Sequence, residues 1–243
     1  MTVFNSVKKG FTLSLNNGSV WSIIFYVTAI YIFASLLVYI TTGMFPNELY
    51  KLHVVHSVLV GTIIEVPFQL FVFASLPTSI LEALNYSYRP YLFFSNGIKN
   101  FGKLIVICLA ATIILFIYLF ICIFITLLIS KLAFAFLGFL FGLVFAIFFL
   151  YLIKCIYEVY LRELLISNLP FKDNLRIACN INIKSIISFF VLLLLFGIID
   201  IVIISCTILI HNPYLSQIIY CFIQAVLTVI LLVSLMNEFD VAL

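Results

Sequence analysis

LIVICLAATIILFIYLFICIFITLLI, running from Leu104 to Ile129, contains no charged side chain. At about 1.5 Å of rise per residue such a run spans a hydrocarbon core of roughly 30 Å as a single α-helix. A water-soluble domain has nowhere to bury a continuous apolar segment of that length, and the segment lacks the period-2 alternation of a barrel strand. In lipid the backbone must satisfy its own hydrogen bonds, so a helix is the structure left. The rest of the chain agrees. Hydrophobic residues make up 66% of the 243 and charged residues 9%, against roughly 25% charge in soluble domains. Five further apolar segments, at about 20–40, 55–76, 132–153, 185–210 and 214–235, join the one at 104–129. The expected fold is an all-α, polytopic membrane bundle of six spans forming a single transmembrane domain over residues 1–243.

The first nineteen residues hold Lys8, Lys9, Asn16, Asn17 and Gly18 before any apolar run begins. They lack the short apolar core and cleavage site of a secretory signal, so the first span is expected to be retained and to direct its own insertion. Orientation follows from the basic residues, which stay on the cytoplasmic side of short loops. With the N-terminus inside, that side carries Lys8, Lys9, Arg89, Lys99, Lys103, Lys154, Arg162, Lys172, Arg176 and Lys184, and the other side only Lys51 and Lys131. Ten against two places both termini in the cytoplasm and the protein in the cell membrane. The six cysteines, Cys108, Cys122, Cys155, Cys179, Cys206 and Cys221, are scattered without a C-x-x-C pair. They read as small packed hydrophobes rather than a disulfide framework.

Each odd-numbered span is preceded by a Phe with a base five residues on: Phe4 and Lys9, Phe94 and Lys99, Phe171 and Arg176. Apolar residues recur at helical spacing in each preamble, which predicts three amphipathic helices at the cytoplasmic interface, their bases level with the headgroups. The architecture would then be three copies of an interfacial helix plus a transmembrane hairpin; the alternative is that any loop entering a membrane looks basic and amphipathic. The segment Phe171-Lys-Asp-Asn-Leu-Arg-Ile-Ala178, with the length and topology, resembles the YciC family of six-span bacterial membrane proteins and the related membrane domain beside some glycerophosphodiester phosphodiesterases. The chain departs from that pattern in its short first outer loop and in Cys179-Asn180, where a Ser and an aromatic are more usual. The resemblance implies a fold and no assigned activity.

Ionisable side chains at bilayer depth are expensive and tend to face the bundle interior. Glu65 and Asp200 lie nine and eleven residues from the outer ends of their spans, marked by His56 and His211, which puts both near the midplane and predicts one shared polar layer. Pro67 removes a backbone bond at that depth, and Gln69 adds a polar neighbour one turn from Glu65. A carboxylate beside a loosened helix has the physics of a proton or cation site in a transporter; the alternative is a protonated structural acid. His53, His56 and His211 all fall on the outer side, where they could ligate zinc, but interface histidines are common and no metal or other cofactor is expected. Gly138, Gly142 and Ala146 repeat every four residues, a smooth stripe suited to close helix packing within the bundle or against a second copy. A groove for lipid lined by the neighbouring Phe residues is the other use of that helix.

No nucleophile elbow, H-E-x-x-H, phosphate loop or paired polar carboxylates occur, so no enzymatic activity is expected. The expected function is a non-enzymatic membrane module that binds or moves a small solute or lipid. Two alternatives stand beside it. One is the permease of an ABC-2-type exporter, for peptide export or bacteriocin immunity, with Ser79 to Pro90 contacting a cytoplasmic ATPase; the other is an assembly partner for another membrane protein. Nucleic acid is not an expected partner, whereas the bilayer is and a homo-oligomer could form.

Overall fold

The structure, a computed structural model, describes residues 3–46, 55–85, 87–130, 135–165, 170–180, 182–208, 210 and 212–239. Within them the chain forms α1 (Val3–Leu15), α2 (Gly18–Thr42), α3 (Val55–Leu84), α4 (Leu92–Ser130), α5 (Ala135–Leu165), α6 (Phe171–Ala178), α7 (Ile183–Ile208) and α8 (Pro213–Glu238). Six of these, α2, α3, α4, α5, α7 and α8, are long and apolar enough to cross a membrane. The protein is an integral membrane protein built as a helical bundle.

Local chemistry sets the helix ends. Asn17 stands before α2 in extended conformation, and its Oδ1 accepts from the N–H groups of Ser19 and Val20 at 2.9 and 3.4 Å, satisfying donors that the first turn leaves open. The same side chain donates to the Ala83 carbonyl at 3.0 Å, fastening the end of α3 to the start of α2. Gly43 ends α2 at φ +72°, a conformation a Cβ disfavours, and its N–H returns to the Tyr39 carbonyl. Asn212 caps α8, with Pro213 in the first turn.

One end of the bundle, here called the base, holds α1, α6, the starts of α2, α4 and α7 and the end of α8. The rim at the other end holds the end of α2 and of α7 and the start of α3 and of α8. The core runs between α2, α3, α7 and α8, where Val20, Ile23, Val72, Leu76, Leu192, Val229 and Leu235 are fully buried. At the base α1 lies on α8: Ser6 Oγ donates to Glu238 at 2.9 Å and Lys9 Nζ to Asn237 Oδ1 at 2.8 Å. Lys9 therefore binds the bundle instead of standing free at headgroup level.

The three preambles are all helical, but only two are separate elements. α1 and α6 stand alone, whereas Phe94 and Lys99 lie in the opening turns of α4, whose 39 residues span about 58 Å. The reason is a polar seam. Asn96 donates to Ser79 Oγ and Glu82 at 3.1 and 2.9 Å, and Asn100 to Thr78 Oγ1 and the Ala74 carbonyl at 3.0 and 3.3 Å. Between them Gly97 sits so close to Phe71 and Ser75 that an added Cβ would collide with both. These contacts hold the start of α4 along the end of α3, so both helices run past the apolar segments that predicted them. α5 likewise extends to Leu165, beyond the expected 153.

The rim half of the α4–α5 hairpin packs mainly on itself, through Tyr118 against Phe145, Phe148 and Phe149. Gly142 and Ala146 are exposed on it, and a Cβ on Gly142 would meet nothing within 4 Å. No described helix of this chain approaches that stripe; the side of α5 at Gly138 falls outside the described residues.

Candidate functional site

A cavity of about 630 Å³ opens in the rim half of the bundle, walled by α2, α3, α7 and α8 and by Pro46. Polar side chains reach it from four helices: Tyr31 and Ser35 on α2, Glu65 and Gln69 on α3, Thr207 on α7, and Gln217, Tyr220, Gln224 and Thr228 on α8. They do so because α2 and α8 turn their small and polar faces towards each other, with Ala34, Ser35 and Cys221 leaving room that larger residues would fill. No Lys, Arg or His among the described residues lines the wall.

Gln217 is the most constrained of these groups. It is 4% exposed, and its Nε2 donates to Ser35 Oγ at 2.9 Å and to Cys221 Sγ at 3.4 Å. Its Oε1 is buried with no hydrogen-bond partner among the described residues. A buried amide oxygen left unpaired costs on the order of 1–3 kcal/mol, so such groups call for an explanation. Glu65 is half-buried and, among the described residues, makes no hydrogen bond or ion pair. Gln69 is exposed, while Pro46, Thr207 and Gln217 are buried. Among the residues on the wall the most exposed is thus Gln69, partway along a spanning helix.

Asp200 does not line the cavity. It accepts a hydrogen bond from Gln224 Nε2, and Gln224 does line it. The two acids thus belong to opposite walls, Glu65 directly and Asp200 one side chain behind. Pro67 is exposed on α3, which stays helical through it.

The remaining sequence candidates lie elsewhere. His53 and His211 fall outside the described residues, as does the side chain of His56 in the first turn of α3; among the described residues no three His, Cys, Asp or Glu side chains gather to hold a metal. Phe94, Lys99, Phe171 and Arg176 are exposed at the base; the side chain of Phe4 falls outside the described residues. Ser79 to Leu84 are the closing turns of α3, with Ser79, Ile80 and Ala83 fully buried.

No family model matches the chain, and neither a curated protein nor a solved structure does.

One arrangement escaped the sequence reading. At the base, Glu158 bridges Lys154 at 2.6 Å and Arg162 at 2.8 Å, and the side chains of Lys154 and Glu158 are only 4% and 7% exposed. Lys154 also donates to the Ala178 carbonyl, tying the end of α6 to α5, and Arg162 donates to the Phe239 carbonyl. A second cavity of about 440 Å³ borders this triad, with Lys184 and Glu238 on its wall. The i, i+4 spacing of Lys154, Glu158 and Arg162 on one helix face was the available signal. The contribution of α8 was less visible, because Gln217 and Gln224 are ordinary polar residues until α2 is packed against them.

Proposed function

We propose that this protein is a non-enzymatic membrane module that takes a small amphipathic solute from the bilayer into the cavity between α2, α3, α7 and α8. One observation carries the reading: a drug-sized cavity within a transmembrane bundle is walled mostly by apolar side chains with a few polar ones among them, Glu65, Gln69 and Gln217. Ligand pockets are commonly of about 300–1,000 Å³, mostly apolar with a few placed polar groups, and this cavity has that character. Gln69 is exposed partway along a spanning helix, which favours a molecule already dissolved in lipid, since such a molecule reaches it without crossing water. The excess of basic residues at the base supports termini in the cytoplasm and a cavity in the outer half of the cell membrane.

The test is occupancy. Protein extracted gently from its own membranes is analysed by native mass spectrometry beside Ala34→Phe and Gln69→Trp, which fill the cavity. The expected result is a small amphiphile retained by the wild type and absent from both variants, each monodisperse. Equal retention by all three would overturn the reading.

A further inference from the structure

We propose that the cavity of about 440 Å³ at the base holds the phosphate of a phosphate ester, bound by Lys184, Ser185 and Ser188 of α7 together with Arg162 of α5.

The charge on the wall is unbalanced. Three cations, Lys154, Arg162 and Lys184, share it with two acids, Glu158 and Glu238. Glu158 is spent on Lys154 and Arg162, and Glu238 accepts from Ser6. Lys184 is exposed and makes no ion pair among the described residues, so its ammonium is the charge that a ligand can complete. A cation arriving at Glu238 would be repelled by Lys184 on the same wall, whereas an anion is attracted to it.

The hydrogen-bonding groups agree with that sign. Ser188 is 7% exposed, lines the cavity and makes no hydrogen bond among the described residues. A buried hydroxyl without a protein partner calls for one in the space it borders. Arg162 commits its Nε and Nη2 to Glu158 and the Phe239 carbonyl, and the two N–H groups of Nη1 are left over. The backbone N–H groups of Lys184 and Ser185 contribute nothing, since both already go to Asn182 Oδ1.

One ligand group can meet these side chains together. Ser188 follows Lys184 by four residues and Ser185 by three within one helix, so the three share a face, with Cβ atoms about 5–6 Å apart. Two oxygens of one phosphate bridge such a gap and take charge-assisted hydrogen bonds from both turns. Height in the membrane favours phosphate over other anions. The spanning helix α7 begins beside the cavity, and basic pockets between spans at this level suit lipid headgroups. Ile177 on the wall and Ile183 and Ile187 next to it are exposed, an apolar surface for an acyl chain.

The test titrates purified full-length protein with phosphatidylglycerol, with diacylglycerol, which lacks the phosphate, and with glycerol 3-phosphate, which lacks the chains. Native mass spectrometry reads binding for the wild type, Lys184→Gln, Ser188→Ala and Lys99→Gln, the last an exposed cation that does not line the cavity. Phosphatidylglycerol should bind more tightly than diacylglycerol. Its affinity should fall roughly tenfold in Lys184→Gln and several-fold in Ser188→Ala, and stay unchanged in Lys99→Gln. The same pattern for glycerol 3-phosphate without phosphatidylglycerol would keep the phosphate site and assign it to a soluble ester. Diacylglycerol bound as tightly as phosphatidylglycerol would overturn the proposal, and so would binding of neither phosphate. Equal losses in Lys184→Gln and Lys99→Gln, or no loss in Lys184→Gln, would also overturn it, leaving only the general charge of the base.

Discussion

Replacing Glu158 by Ala removes an acid that serves two cations at the base of the bundle. Its carboxylate lies 2.6 Å from Lys154 Nζ and 2.8 Å from Arg162 Nη2, and a second bond comes from Arg162 Nε at 3.0 Å. Arg162 is 14% exposed on its side chain and keeps the Phe239 carbonyl, so it can turn towards water. Lys154 cannot: its side chain is 4% exposed, and the Ala178 carbonyl is its other acceptor. Removing one partner of a buried pair leaves an uncompensated charge and destabilises by about 3–5 kcal/mol, and the loss here falls mainly on Lys154. The double variant Glu158→Leu with Lys154→Met takes away charge and countercharge together, and should sit within about 1 kcal/mol of the wild type, because apolar replacement of a whole buried pair is often neutral. Equilibrium unfolding of the detergent-solubilised protein, followed by tryptophan fluorescence from Trp21, reads both values. A Glu158→Ala variant as stable as the wild type would mean that water already solvates Lys154. A double variant as damaged as the single would assign the loss to packing.

Gly97→Val should separate the start of α4 from α3, since its side chain would enter the space of Phe71 and Ser75; overpacking of this kind costs about 1–3 kcal/mol, and a neutral result in the same unfolding assay would deny the close approach. Topology is read by an impermeant thiol reagent on intact cells, in a background where exposed Cys179 and Cys206 are Ser: Asn212→Cys should label and Asp173→Cys should not, and the reverse would invert the bundle. Tyr88, in the turn between α3 and α4, has its phenol pushed from 10.0 up to about 12, first by burial and then by the neighbouring Tyr26 and Glu82. A raised phenol contributes stability that is complete below pH 10 and lost as pH rises through about 12. Tyr88→Phe should therefore flatten the alkaline part of the stability profile, and an unchanged slope would place Tyr88 in water.

Six spans were legible because each is a run that only lipid can solvate, and the Lys and Arg residues between them carry an orientation. The ends of the helices were not, because hydropathy stops at Lys103 and Leu76 while helical backbone continues wherever side chains bond across to a neighbour. Asn96 and Asn100 look like loop residues until Ser79 and Thr78 are found opposite them. The site was half visible. Glu65 and Gln69 announce themselves by their depth in an apolar run, and both line the cavity. Gln217 and Ser35 do not, since their meaning lies in a bond across 182 positions of sequence. Asp200 was read for its depth alone, and the register of α7 against α8 turned it towards Gln224. The Lys154–Glu158–Arg162 triad was readable by spacing, yet its two cations also serve as topology markers, and that use hid the acid between them.

Photolabelling addresses the binding cavity most directly. A diazirine-bearing naphthylalkyl alcohol is irradiated with the protein in nanodiscs, with and without excess 1-naphthylmethanol, and the adducts are mapped by peptide mass spectrometry. Adducts that the unlabelled alcohol competes away should fall on the cavity faces of α3 and α8, around Glu65 to Phe73 and Gln217 to Thr228. Competition-sensitive adducts confined to the exposed flank of α4, with α3 and α8 unmodified, would contradict the account.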